Sequence, residues 1–312
     1  MPETGKSKKS DEAGGQRCGF IAVLGAPNAG KSTLVNAIVG AKVSIVSHKV
    51  QTTRVPVRGI ALEGKSQLVF IDTPGIFNPK RRLDRAMVDA AWGGAEDADA
   101  VVLLIDATHG VDEDTARIID KLKNARMHRI CVLNKVDRIE EKERLLKLTE
   151  HIGKLMTFDR VFMISALDGT GVADLTRYLA AIVPEGPWHY AEDDVTDIPM
   201  RMLAAEITRE QIYKYLHDEL PYSTTVETTS WKTLKDGSAR IEQTIFVERD
   251  GQKKIVIGKD GATIKRISSE ARREIGEIND APVHLFLFVK VRENWGSDPE
   301  RYREMGLKFP KG

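Results

Sequence analysis

At 312 residues with 41% hydrophobic content, the chain exceeds one typical domain and is apolar enough to build cores for two. Its 47 basic residues nearly cancel its 46 acidic ones, so overall charge names no partner and only local clusters can do so. No apolar stretch reaches the length that crosses a bilayer as a helix, which argues against an integral membrane protein, and the two cysteines, Cys18 and Cys131, lack ligand spacing and read as reduced thiols of a cytosolic protein.

The first 17 residues contain Lys6, Lys8 and Lys9 but no apolar core, so they match neither a signal peptide nor a folded element, and a disordered tail is expected. An apolar run from Phe20 to Leu24 then enters Gly25-Ala26-Pro27-Asn28-Ala29-Gly30-Lys31-Ser32, and Thr33 opens a helical stretch through Ile38. This order of strand, loop and helix is the context a phosphate-binding loop needs. Glycines at 25 and 30 let the backbone curl so that its N–H groups and the helix N-terminus face phosphates. Lys31 would reach the β- and γ-phosphates and the Ser32 hydroxyl would ligate Mg²⁺, but nothing here selects GTP over ATP.

Gln51-Thr52-Thr53-Arg54 falls between that helix and the next strand, where a switch loop must lie. A threonine there can ligate Mg²⁺ with its hydroxyl while its N–H meets the γ-phosphate; Thr52 and Thr53 both remain open, with Thr53 preferred. Asp72 ends the apolar run Leu68 to Ile71, which sets its carboxylate at the C-terminal end of a strand, where it can hold the metal through water. In Asp72-Thr73-Pro74-Gly75 the glycine offers an N–H to the γ-phosphate, a contact that vanishes when the phosphate leaves.

The base is read from Asn134-Lys135-Val136-Asp137, which follows the apolar run Ile130 to Leu133. A carboxylate accepts from both N1–H and the 2-amino group of guanine, whereas adenine has an acceptor at N1 and no 2-amino group. Ser165-Ala166, after Val161 to Ile164, would supply a backbone N–H to guanine O6. Together these segments describe a guanine-nucleotide site.

Thr176 to Val183 reads as the last helix of this unit, and Pro184 to Pro199 interrupts regular structure with prolines and acids. The expected division is a tail over 1–17, a nucleotide domain over 18–184, a linker over 185–200, a second domain over 201–292 and a C-terminal tail over 293–312. In the second domain, Ala204 to Leu220 has helical spacing, while Tyr222 to Trp231 and Arg240 to Glu248 alternate as strands. A short helix beginning at Lys253 and Lys254 leads to Gly258-Lys259-Asp260-Gly261, then a longer helix puts Ile264, Ile267, Ala271 and Ile275 on one stripe, and Val283 to Val289 closes as a strand. Missing side chains at Gly258 and Gly261 would let a single-stranded RNA backbone press against the loop. Residues 251–275 hold seven basic groups, Lys265 and Arg266 among them, against three acidic ones; a solvated helix face is the plainer reading, and the charge beside the loop favours an RNA footprint.

These residues resemble the GTPase superclass, and Gly-x-Pro-Asn-x-Gly-Lys-Ser-Thr-Leu-x-Asn, Gln51 to Arg54, Leu220 to Val226 and the C-terminal module resemble the Era family of ribosome-associated GTPases over nearly the whole chain after residue 18. The resemblance implies an α/β fold: a P-loop GTPase domain with a mixed, mostly parallel doubly wound sheet, followed by a smaller α+β KH domain. It implies GTP hydrolysis with Mg²⁺ and binding to 16S rRNA near its 3′ end during assembly of the 30S subunit. A monomer in the cytoplasm that binds no DNA is expected, with peripheral attachment to the inner membrane left open. Ile76 stands where Ras-like GTPases carry a water-orienting glutamine, so slow intrinsic hydrolysis is expected, aided by a monovalent cation, RNA or the ribosome. Asn28 matches the asparagine that helps hold K⁺ in potassium-dependent relatives. Rival readings are an RNA-binding protein with GTP as a structural ligand, a GTPase of the large subunit or of tRNA modification, and a membrane-surface GTPase. The tryptophans fit packing and stacking equally, with Trp295 in the basic C-terminal stretch a candidate for lying near RNA.

Overall fold

The computed structural model describes residues 15–310; most of the tail expected over 1–17 lies outside the described residues. Six strands form one sheet in the order β2-β3-β1-β4-β5-β6, built from β1 (Arg17–Leu24), β2 (Val57–Glu63), β3 (Ser66–Asp72), β4 (Ala100–Asp106), β5 (His128–Asn134) and β6 (Arg160–Met163). Only β2 runs antiparallel to its neighbour. The interior strands β1, β3, β4 and β5 are buried on both faces, which is why they carry continuous apolar runs in the sequence and not alternations, whereas β6 at the edge is only partly covered.

One face carries α1 (Lys31–Val39) and α5 (Val172–Ile182), whose Leu34, Val35, Leu175 and Leu179 pack on Ile21, Val23, Phe70 and Val102. The other carries α2 (Arg82–Glu96), α3 (Glu113–Leu122) and α4 (Lys142–Leu155), which cover Ala22, Leu24, Val101, Leu103 and Cys131. Both cysteines are free and buried, and burial pushes the Cys131 thiol up to about 12. The segment expected as a linker is tied to the sheet: the Val195 carbonyl accepts from Ile60 N–H (2.9 Å), and buried Gln67 accepts from the His189 and Tyr190 N–H groups.

The C-terminal unit stacks α6 (Met200–Tyr215) and α8 (Ala262–Ile278) on a sheet of order β7-β8-β9, from β7 (Thr225–Thr233), β8 (Ala239–Val247) and β9 (Val283–Val291), with β9 parallel to β8. A short helix, α7 (Asp250–Ile257), precedes the glycine loop. The helix expected through Leu220 stops at Tyr215, because Asp218 adopts φ 55 and Pro221 opens a one-turn 3₁₀ segment that also delays β7 to Thr225.

Residues 293–312, expected as a tail, instead carry a 3₁₀ turn at Trp295–Ser297 and α9 (Pro299–Glu304). Trp295 is buried, its indole N–H donates to the Ser223 carbonyl (3.0 Å), and Tyr302 and Leu307 pack on Ala86 and Met87 of α2. Trp295 is thus a packing anchor. Three widely spaced apolar residues show no period in sequence; burial against another domain is what orders them.

The two units meet through Glu210 of α6, which accepts from Lys42 Nζ (2.7 Å), Val46 N–H (2.8 Å) and Lys214 Nζ (2.9 Å). Burial pushes this carboxyl up, but the Lys42 ion pair and the other donors outweigh it and hold it below the usual range. Replacing it by a neutral amide, Glu210→Gln, should cost about 1–3 kcal/mol in urea denaturation near neutral pH. The carboxylate's contribution is complete above the ordinary glutamate value of about 4.3 and is lost as pH falls through the depressed folded value, so the gap between wild type and variant should close in acid.

Candidate functional site

The loops after β1, β3 and β5 leave the same edge of the large sheet and surround an open cavity of about 560 Å³. Ala26, Pro27, Asn28, Ala29, Gly30, Lys31, Ser32 and Thr33 line one wall; Thr52, Thr53 and Gly75 close it; Asn134, Lys135, Asp137 and Ala166 form the far end. Gly25, Thr73, Pro74, Ile76, Val136 and Ser165 stand behind this lining. The Gly25 carbonyl accepts from Ile76 N–H (3.1 Å), the Thr73 hydroxyl donates to the Val23 carbonyl (2.7 Å), and the Ile76 side chain is buried in the core beneath. Gly75 must lack a side chain, since a Cβ there would lie 2.9 Å from Pro27 Cα.

At the near end the Ser32 hydroxyl donates to Asp72 Oδ2 (2.7 Å), and Thr53 Oγ1 lies 2.9 Å from Ser32 Oγ and 3.3 Å from the same carboxylate oxygen. The Thr52 hydroxyl turns away to the Lys49 carbonyl (2.9 Å), so of the two threonines Thr53 is the one beside Asp72. Ser44 adds a further donor to Asp72 Oδ2 (2.6 Å). Asp72 is fully buried, burial raises its carboxyl against these hydroxyls and Lys31, and Oδ1 finds no partner among the described residues. A buried carboxylate with one unpaired oxygen beside three hydroxyls is a hard-oxygen set that suits Mg²⁺. Lys31 donates to the Gly25 (3.1 Å) and Ala26 (2.9 Å) carbonyls, and burial draws its ammonium down to about 8 against the pull of Asp72.

At the far end Asn134 is the tie. Its Nδ2 donates to the Ala29 carbonyl (2.8 Å) and its Oδ1 accepts from Ala166 N–H (2.9 Å). The expectation that Ser165 or Ala166 offers a free N–H to guanine O6 is not met in this arrangement, because Ser165 N–H donates to the Thr170 carbonyl (2.9 Å) and Ala166 N–H to Asn134. Asp137 stands exposed at the rim. Lys135 Nζ is held by Asp106 (2.6 Å); burial raises the Asp106 carboxyl, but its bonds to Lys135 and Thr108 outweigh this and leave it below its usual value.

In the C-terminal unit, Gly258 (φ 76) and Gly261 (φ 74) flank Lys259 and Asp260, the latter at φ 52, in a tight turn between α7 and α8. Lys254, Lys259, Lys265 and Arg266 are exposed and Lys253 is partly exposed, and none of them enters an ion pair among the described residues. Arg273, by contrast, is engaged by Glu270 (3.2 Å) and Glu277 (2.7 Å) along its own helix. Arg266 stacks 4.3 Å over the Tyr215 ring.

A sequence model described as 50S ribosome-binding GTPase matches residues 20–135, and one described as KH domain matches residues 219–296. The chain is 63% identical over 298 residues to the GTPase Era of Bradyrhizobium sp. (strain ORS 278), covering 96% of this chain and 97% of that one. To the GTPase Era of Brucella suis biovar 1 it is 62% identical over 299 residues, 96% of each. The chain belongs to the Era GTPase family. Among solved structures, Era in complex with MgGDPNP and nucleotides 1506-1542 of 16S ribosomal RNA superposes with a TM-score of 0.88 at 37% identity, covering 93% of this chain and 99% of that one. A variant of Aquifex aeolicus Era bound to GDP·AlF4⁻ gives 0.89 at the same identity and coverage.

This Era-family protein is therefore a GTPase with a P-loop domain and a C-terminal KH domain. Three of the residues around its cavity were not read from sequence. Ser44 and His48, whose carbonyl accepts from Asn28 Nδ2 (3.0 Å), lie in a segment without a motif. Asp106 ends an apolar run just as Asp72 does, and that signal could have found it. Gly30 sits at φ 101, and a Cβ on it would come 2.3 Å from Asn134 Nδ2. Gly30→Ala should displace Asn134 from the Ala29 carbonyl and weaken fluorescent-GDP binding by at least about tenfold.

Proposed function

We propose that the cavity binds GTP with Mg²⁺ and hydrolyses it under the control of RNA held by the KH domain, the RNA being the 3′ region of 16S rRNA in the assembling 30S subunit. The observation that carries the nucleotide reading is the convergence of Ser32, Thr53 and Asp72 at one end of a cavity whose other end presents Asp137. Support for the RNA reading comes from the exposed lysines beside the glycine loop and from the 16S rRNA complex formed by a relative. The 50S in one family description belongs to a model spanning the nucleotide domain alone.

In this reading Lys31 faces the β- and γ-phosphates, Ser32 and Thr53 are the hydroxyl ligands, and Asp72 holds the metal's water. Bound there, Mg²⁺ would neutralise charge on the phosphoryl oxygens. Gly75 N–H and the loop N–H groups face the charge that builds on the transferring group. Asp137 accepts from N1–H and the 2-amino group of guanine. Because the buried Ile76 gives no polar atom for the attacking water, turnover by the free protein is slow. Asn28, at φ 62 and with its Nδ2 donating to the His48 carbonyl, stands at the phosphate wall where K⁺ would add positive charge.

The test is GTP turnover in Na⁺ and K⁺ buffers, with and without an RNA oligonucleotide matching the 16S 3′ end. K⁺ and RNA should each raise turnover about fivefold or more. A Cβ at Gly258 would collide with Thr263, at 2.2 Å from its hydroxyl, whereas Gly261 faces open space, so Gly261→Asp with Lys259→Glu is the cleaner lesion. That pair should abolish the RNA response and keep the K⁺ response. RNA that neither binds nor stimulates would remove the rRNA reading and leave the GTPase standing.

A further inference from the structure

The loop that carries Thr53 belongs to the nucleotide domain, yet it is held by the other one. Arg209 of α6, only 1% exposed, donates from Nη2 to the Thr52 carbonyl. One turn along, the Tyr213 hydroxyl donates to the Gln51 carbonyl (3.2 Å), and Gln51 sits at φ 57, a conformation a glutamine rarely takes without restraint. On the far side of Thr53, the buried Arg54 reaches out of the loop, donating to the Thr224 carbonyl (2.8 Å) and stacking 5.6 Å from the Trp295 ring. Lys49 Nζ reaches the Tyr213 and Leu216 carbonyls at the end of α6. Residues 51, 52 and 54 are thus all bonded across the domain joint, and residue 53 is what lies between them.

Glu206 accepts from Nε (2.8 Å) and from the same Nη2 that holds the Thr52 carbonyl, which fixes the plane of the guanidinium, while Nη1 has no acceptor among the described residues. A buried guanidinium with a donor left over is a poor way to fill space, since an apolar side chain would pack there at lower cost. Its purpose is better sought in the carbonyl it holds.

We propose that Arg209, with Tyr213, is a positioning residue for GTP: from the KH domain it holds the Thr52 and Gln51 carbonyls so that Thr53 stays at the metal and γ-phosphate position. The inference rests on the reading of Thr53 given above. GDP has no γ-phosphate for Thr53 to meet, so the clamp discriminates between the two nucleotides. By linkage, any ligand that shifts α6 changes affinity for the triphosphate by the same factor as the triphosphate changes affinity for that ligand.

The experiment measures binding of fluorescent GDPNP and GDP to the full chain in Mg²⁺, with thermal melts alongside. Arg209→Gln should weaken GDPNP about tenfold and GDP by no more than about twofold, and Tyr213→Phe should act in the same direction by about threefold. In a Thr53→Ala background Arg209→Gln should add nothing, because the clamp acts through Thr53. Equal weakening of both nucleotides, no weakening of GDPNP, or full additivity with Thr53→Ala overturns the proposal. If Arg209→Gln melts early, Tyr213→Phe in the same cycle decides by the same criteria. A Thr53→Ala protein that binds GDPNP normally overturns the reading of Thr53 itself, and the clamp with it.

Discussion

One buried amide holds the nucleotide site together. Asn134 bonds the phosphate loop through the Ala29 carbonyl and the loop after β6 through Ala166 N–H, while Gly30 presses against its nitrogen with no side chain of its own. Three loops from three strands are locked in register by one side chain that has no solvent to fall back on. Losing either bond would leave a polar group buried and unsatisfied, which costs more than the bond itself contributes. The distance from phosphate wall to base rim therefore depends less on the loops' own stiffness than on this tie.

The Asp72 end is organised differently, by accumulating hydroxyls around a carboxylate. Ser32, Ser44 and Thr53 all meet the same oxygen of Asp72 and leave the other open, and Lys31 lies buried near enough to pull on it. In water such groups would reorient around an incoming charge. Here the fold has already fixed them, with Asp72 at the end of β3, Ser32 in the first turn of α1 and the Thr53 loop held from α6, so binding a charged ligand requires little further ordering. A raised carboxyl and a lowered ammonium are two signs of the same condition, charge held away from solvent.

Between the domains the contacts are of two kinds. Glu210, Lys42 and the Arg209 to Thr52 bond are polar and directional, and they gather on the segment between α1 and β2. Tyr302 and Leu307 against Ala86 and Met87 are apolar, and they gather on α2, the helix that follows Gly75. Each of the two segments that would contact the γ-phosphate is thus backed by the KH side of the molecule. A conformational change in either domain therefore has a physical route to the other through these contacts.

Much of the nucleotide site could be read locally. The apolar runs before Gly25, Asp72 and Asn134 are strands because parallel sheets bury both faces, and the residues that follow them carry donors and acceptors that match a phosphate or guanine whatever the rest of the chain does. The glycine loop between α7 and α8 was legible for the same reason, as backbone freedom flanked by helical periods. What stayed hidden depended on neighbours distant in the chain. Arg54 and Arg209 face partners 157–170 residues away, the choice of Thr53 over Thr52 turns on which hydroxyl points inward, and the C-terminal segment becomes helix and anchor only against α2. The sequence by itself determined the chemistry on offer, because that resides in side-chain type and local backbone freedom; the tertiary structure decided which groups meet, because burial and direction are properties of the packed whole.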